Sequence, residues 1–252
     1  NCAQCYARSL MRSTLSRVCM RSCTGWGYRT WCPGPSTLTA TPLPRRLLKN
    51  LLGEKLAQVQ AQHPERTLQV WFQDEARFGQ QGCNSRVWAK RGTRPRAARQ
   101  IEYEWLYLFA AVCPASGQSN AWIMPVANTQ TLQVQLDELS RNLQADHHML
   151  LILDGAGWHK SHALRVPGNI TLLHLPPYAP ELNPAELLWR QLRQRYLSNR
   201  VYADLQELDQ ALGDAWIRLS EDPQCLRQLT NFDWIEAAVA AHQRSRQTLD
   251  TS

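Results

Sequence analysis

The chain has 252 residues, 44% of them hydrophobic, with a formal charge of +7. That length can bury one sizeable core with a small appendage. No run reaches the roughly 18 apolar residues of a membrane span, and the start shows no clean apolar signal segment, so no membrane association is expected.

The charge is local. Residues 1–49 hold eight Lys/Arg and no acid, whereas the remaining 203 carry 20 basic and 21 acidic side chains. Cysteine is equally lopsided: Cys2, Cys5, Cys19, Cys23 and Cys32 crowd the start, leaving Cys83, Cys113 and Cys225 as incidental thiols of a cytosolic protein. The early pairs have zinc-finger-like spacing. However, residues 1–50 show no sustained helical or strand period. Synonymous codons for Ser13–Lys49, read from the third base, permit an amphipathic helix, a Pro-rich linker and a charged helical end. The expectation is that residues 1–50 are out of frame or disordered and that the true frame resumes near Asn50. The cysteine pairs and the basic start would then carry no function.

From Leu51 the pattern becomes orderly. KNLLGEKLAQVQAQ predicts a lead-in helix, and TLQVWFQDEARF (67–78) a central strand ending at Asp74. SRVWAKRG predicts a second strand, EWLYLFAAVCPASG (104–117) a third and NAWIMPVAN a fourth. Leu132, Leu136, Leu139 and Leu143 mark an amphipathic helix over 131–143. HMLLILDGAG (148–157) is an apolar run of the buried, parallel type, and NITLLHLP (169–176) a shorter one. AELLWRQLRQRYLS (185–198) and DLQELDQALGDAWIRL (204–219) predict helices, the first opened by Pro184 and Glu186. The order of elements predicts one mixed α/β domain over 51–221 and a helical C-terminal tail with a polar, frayed end over 222–252.

Three acids stand out: Asp74 and Asp154 after apolar strands, and Glu186 at a helix start behind a proline-punctuated loop. Converging carboxylates make an oxygen-ligand site for Mg2+ or Mn2+. Singly, each also reads as a turn, cap or helix-dipole residue, and Glu75 and Glu181 are nearby competitors. Arg86, Lys90, Arg91, Arg94, Arg96 and Arg99 form a basic cluster without intervening acid, and Arg190, Arg193, Arg195 and Arg200 form another. Such clusters suit phosphates, although a solvated charged face is the plainer reading. His159 and Lys160 follow Asp154, where a donor or cation can reach a phosphate; Trp158 can stack on a base or fill the core.

In this order, WFQDEARFGQQG, VWAKRGTRP, LDGAGWHKS and PPYAPELNPAELLW resemble the catalytic domain of DDE transposases, in the bacterial insertion-sequence branch of the Tc/mariner superfamily. The resemblance spans about residues 55–220. It implies a ribonuclease H-like mixed sheet flanked by helices, with the first Asp on the first strand and the second on the fourth. The third acid then opens a later helix, which selects Glu186 over Glu181. It further implies two divalent ions about 3.5–4 Å apart, held by Asp74, Asp154 and Glu186, that serve strand cleavage by water and strand transfer by a 3′-hydroxyl. The expected partners are transposon ends, target DNA and a second copy of the chain, in the bacterial cytoplasm and on the nucleoid. The alternatives are a non-catalytic DNA-binding remnant of a transposable element, and a ribonuclease H-like endonuclease that cuts without joining.

Overall fold

Five strands and six helices follow one another in the computed structural model, which describes residues 42–93, 96, 100–177 and 179–250. The expectations for the cysteine-rich start, for Arg94 and for Arg99 lie outside the described residues. Helix α1 (Pro42–Gln62) leads into β1 (Thr67–Gly79), β2 (Trp105–Val112) and β3 (Ser119–Met124). Helix α2 (Thr129–Asn142), β4 (His147–Leu153) and β5 (Ile170–His174) come next. The chain ends with α3 (Ala185–Gln191), α4 (Leu205–Ser220), α5 (Pro223–Thr230) and α6 (Asp233–Asp250).

The sheet order is β3-β2-β1-β4-β5. Strands β1, β2 and β3 pair antiparallel, while β4 and β5 join in parallel. Side chains alternate along β1. Val70, Phe72, Ala76 and Phe78 face a core built with Leu48, Leu52, Leu56 and Val59 of α1 and with α3 to α6. Trp71 faces a second core with Leu132, Leu136 and Leu139 of α2 and Met149, Leu151 and Leu153 of β4. This double coverage explains why β4 reads as an unbroken apolar run. It is the mixed, helix-flanked, ribonuclease H-like sheet that the resemblance implied.

Local chemistry sets the element ends. Asn128 caps α2 through Gln130 N and Thr131 N, and Thr131 Oγ1 returns the contact to Asn128 N at 3.0 Å. Asp204 caps α4 and Asp222 caps α5, the latter with a proline in the first turn. Gly117, at φ +75°, closes the β2–β3 turn directly against Pro223.

Three expectations change. Residues 85–92 form no strand: Val87 is exposed and Trp88 fully so, because β1 takes β2 as its partner and leaves this stretch outside the sheet. The lead-in helix begins at Pro42, and Leu48 continues the buried stripe of Leu52, Leu56 and Val59. Residues 223–250 form α5 and α6, which place Leu226, Ile235 and Ala238 in the core, with α6 packed on α1. No helix among the described residues is long and apolar enough to cross a membrane.

Candidate active site

The last parallel pair between β1 and β4 is Phe72↔Ile152, and two residues further each chain reaches an aspartate. Strand β4 ends at Leu153, but β1 runs on to Gly79 because β2 stays paired with it as far as Trp105. Asp74 therefore lies inside its strand, where one neighbour stops, rather than at the strand's end as expected. The edge of β1 left open by β4 is covered by the segment around α3. Asn183 Nδ2 donates to Gln73 O at 3.0 Å and Arg193 Nη2 to Arg77 O at 3.3 Å.

Asp74 is 9% exposed and shares its face with Phe72 and Ala76. Its Oδ2 accepts from Trp189 Nε1 at 2.7 Å. Burial pushes the carboxyl up to about 8, the Trp189 bond resists this, and the neighbouring charges of Glu186 and Glu75 add to it. A buried acid beside other acids, with only the neutral donors of Trp189 and the Glu75 backbone, lacks a counter-charge.

Glu186 stands in the first turn of α3, behind the proline-rich loop, and its charge acts on Asp74. Pro180–Leu182 make a 3-10 turn, and buried Asn183 accepts from Ala185 N at 3.1 Å while holding β1. Ala185, Leu188 and Trp189 face the core, so Glu186 and Arg190 point outward. Burial raises the Glu186 carboxyl, Arg193 and Arg190 oppose the rise, and Asp154 adds to it. The helical path continues as a π-helix over Leu192–Tyr196, with Leu197 N bonded to Leu192 O at 3.0 Å. Glu181 lies exposed in the preceding turn.

On the turn after β4, the Asp154 side chain is 51% exposed. Its Oδ1 accepts from Ala156 N at 2.9 Å and lies 2.7 Å from His159 Nδ1. The hydrogen bond to His159 holds its carboxyl below the usual range, outweighing partial burial. Glu75 points to the opposite face from Asp74, and its side chain is 10% exposed. Trp158 Nε1 donates to Glu75 Oε1 and Gln73 Nε2 to Oε2, both at 3.2 Å. His159 Nε2 stands 3.4 Å from Glu75 Oε2, near enough for charge pairing but without hydrogen-bond geometry. Burial alone would lower the imidazole, but Asp154 and Glu75 together carry it up to about 9. His159 is thus an enclosed imidazolium, 2% exposed, rather than a solvent-facing donor for a phosphate. Lys160 is exposed, and its Nζ reaches back over Gly155, 3.0 Å from where a Cβ would sit there.

Two sets of side chains have the chemistry to hold a cation. Ligand atoms of Glu75, Asp154 and His159 lie within 4.8 Å of one another. There the two ring nitrogens face different carboxylates, so the imidazolium itself supplies the positive charge between them. Asp74, Asp154 and Glu186 offer oxygens only, and the charges of Glu186 and Asp74, and of Asp154 and Glu186, influence one another. This second set fits a hard divalent cation, which would supply the counter-charge that Asp74 lacks.

Arg86, Lys90, Arg91 and Arg96 are exposed on an arm between β1 and β2. Its root is pinned at both ends to residues 198–202. Ser85 N donates to Asn199 Oδ1 at 3.1 Å, Asn199 N to Cys83 O at 3.0 Å, and Tyr202 N to Gln100 Oε1 at 2.9 Å. Asn199 takes φ 57°, a left-handed conformation that asparagine tolerates. Trp189, Asn183 and the role of Trp158 escape a reading of the sequence, which offers Glu75 only as a competitor of the three acids. The one available signal is the density of polar and aromatic residues inside motifs whose acids draw the eye.

The sequence pattern of a family described as DDE superfamily endonuclease matches residues 69–209. An uncharacterised protein, y4pE/y4sA of Sinorhizobium fredii (strain NBRC 101917 / NGR234), is 39% identical over 130 residues, 52% of this chain and 96% of that protein. Among solved structures, a pre-cleavage Mos1 transpososome matches 87% of this chain and 68% of its own at 17% identity, with a TM-score of 0.57. A Mos1 mariner paired-end complex with Mn matches 95% and 70% at 17% identity, with a TM-score of 0.54. At these identities the likeness is one of fold.

Proposed function

The chain belongs to the DDE superfamily endonuclease family, and from that premise we propose that it is the catalytic part of a transposase, cutting DNA at the ends of an insertion sequence and joining them to a target. What supports this reading is that Asp74 and Asp154 each lie two residues beyond the last β1–β4 pair, and that the charge of Glu186 acts on Asp74 and that of Asp154 on Glu186. Its partners are element ends, target DNA and a second copy of the chain in a paired complex. It works in the bacterial cytoplasm, on the nucleoid.

Asp74, Asp154 and Glu186 would hold Mg2+ or Mn2+, two ions by the family's pattern. When bound, such ions lower the pKa of an attacking water or hydroxyl and neutralise charge at the phosphate. The chain's own residues prepare that place. Trp189 holds Asp74 Oδ2, and Asn183 docks the start of α3 against β1, near enough for the charge of Glu186 to act on Asp74. Lys160, close to Asp154, and the arm residues Arg86, Lys90, Arg91, Arg94 and Arg96 bind backbone phosphates and orient the duplex.

Incubating the protein with element-end DNA and Mg2+ or Mn2+ tests this, with Asp154→Asn as control. The expected products are nicked ends and strand-transfer joints that the control does not make. Cleavage that survives Asp154→Asn rejects the assignment. Cutting without joining instead marks a ribonuclease H-like endonuclease.

A further inference from the structure

Asp154 raises a physical problem. Its side chain is half exposed, on a turn beyond the last residue of β4, where a carboxylate rotates freely unless something holds it. A cation ligand must instead be kept in one orientation. Both protein contacts of the carboxylate fall on Oδ1, one from Ala156 N at 2.9 Å and one from His159 Nδ1 at 2.7 Å. The backbone contact is local and moves with the turn. His159 reaches further: its Nδ1 also lies 3.1 Å from Asp154 O, and its other ring nitrogen stands 3.4 Å from Glu75 Oε2 on β1, near enough for charge pairing.

We propose that Glu75 and His159 form a positioning pair that anchors the Asp154 carboxylate to strand β1 and so sets it for divalent-cation binding. The proposal rests on the metal-dependent reading above and deepens it. Glu75 is itself fixed, by Trp158 Nε1 on one oxygen and Gln73 Nε2 on the other. It also follows Asp74 directly in a strand whose side chains alternate. One dipeptide of β1 therefore references both aspartates. Asp74 stands on one face under Trp189, and Glu75 reaches Asp154 through His159 on the other. With Oδ1 held by the protein, Oδ2 becomes the ligand oxygen. Outer partners of this kind typically change metal affinity about 10- to 100-fold when removed.

A pair that only stabilised the loop would lower the melting temperature without touching cation affinity, so affinity is the quantity to read. Mn2+ binding to the full chain without DNA, followed by calorimetry and by the loss of the free-ion EPR signal, separates the two. Melting curves of the same samples confirm folding. Glu75→Gln keeps the oxygen that accepts from Trp158 and removes the charge together with the acceptor of Gln73 Nε2; His159→Asn removes the bridge. Both variants should bind Mn2+ about tenfold or more weakly than the wild type, and high Mn2+ should restore cleavage to the wild-type plateau. Folded variants with wild-type Mn2+ affinity overturn the positioning pair, while Asp154→Asn still abolishes binding. A wild type that takes up no Mn2+ overturns the metal reading itself.

Discussion

The indole N–H of Trp189 donates to Asp74 Oδ2 at 2.7 Å, joining residues 115 positions apart. It is a neutral donor against an acid that is 9% exposed and stands beside Glu186 and Glu75. The site's most buried carboxylate is therefore under-compensated in the protein alone, and this has measurable consequences.

Replacing Asp74 with Asn should stabilise the metal-free protein at neutral and alkaline pH. The unfolded carboxyl releases its proton near 3.8, whereas in the folded chain it keeps it up to about 8. Between those values the unfolded state binds fewer protons, so folded stability falls as pH rises and levels off above about 8. Calorimetry in EDTA should show Asp74→Asn melting above the wild type at pH 8 by at least about 2–4 °C, the equivalent of about 1 kcal/mol. The two curves should converge near pH 4. Adding Mn2+ should raise the wild-type midpoint and leave the variant unmoved. A variant that melts below the wild type at pH 8 contradicts the account.

Trp189→Phe keeps an aromatic beside Phe78, which the indole meets edge-on at 6.2 Å, but leaves Asp74 Oδ2 without its donor. An unsatisfied buried acceptor costs about 1–3 kcal/mol, which urea unfolding at pH 8 should report. The same change made on Asp74→Asn should cost less, because a neutral amide asks less of its donor. Equal costs in both backgrounds would show that the bond is not what Trp189 contributes.

His148 predicts a second pH dependence, of opposite slope. It is buried, stacked on His63 at 4.0 Å, near Arg66, and its Nε2 lies 2.9 Å from Thr171 Oγ1. Burial, then the charges of His63 and Arg66, bring its imidazole down to about 4. From pH 6.5 down to about 4 the unfolded chain takes up a proton that the folded chain refuses, so stability is lost as pH falls through that window. His148→Gln should flatten the urea midpoint between pH 4 and 6.5. An unchanged slope would assign the effect elsewhere.

Gly117 admits no side chain. A Cβ there would lie 1.9 Å from Pro223 O, at a φ of +75° that disfavours L residues. Gly117→Ala should destabilise by about 1–3 kcal/mol, the usual cost of overpacking, by prying α5 from the β2–β3 turn. Denaturant melts measure this, and a neutral effect would mean that the turn can move.

The basic arm is testable through salt. Each phosphate contact to duplex DNA adds about 0.9 to the slope of log affinity against log salt. Arg91→Ala with Arg94→Ala should flatten that slope by about 2 while leaving Mn2+ affinity unchanged. An unaltered slope removes the arm from the DNA path.

Much of the fold was legible because apolar periodicity reports burial. The run HMLLIL marked β4, and the leucines of 132–143 marked α2. Asp74 looked like a strand end because the sequence shows where a hydrophobic run stops, whereas strand length depends on a partner, and β2 holds β1 to Gly79. Val87 and Trp88 suggested a strand by composition, yet β1 takes β2 as its partner and they stay exposed outside the sheet. In the site, the acids could be picked out by type and setting. Trp189 and Asn183 could not, and Glu75 stood only as a competitor, because an indole, an amide and a second acid acquire their meaning only from what stands 3 Å away.

Asp74 and Glu75 draw on both layers of the molecule. Trp189 belongs to the core shared by α1 and α3 to α6, while Trp158 packs with the core under α2. Neither half of the molecule can assemble the site alone. Glu186 also follows Asp74 by more than a hundred residues, so during synthesis the third acid emerges after all five strands. A copy that stops before α3 therefore carries Asp74 and Asp154 without Glu186, and without the Trp189 that holds Asp74.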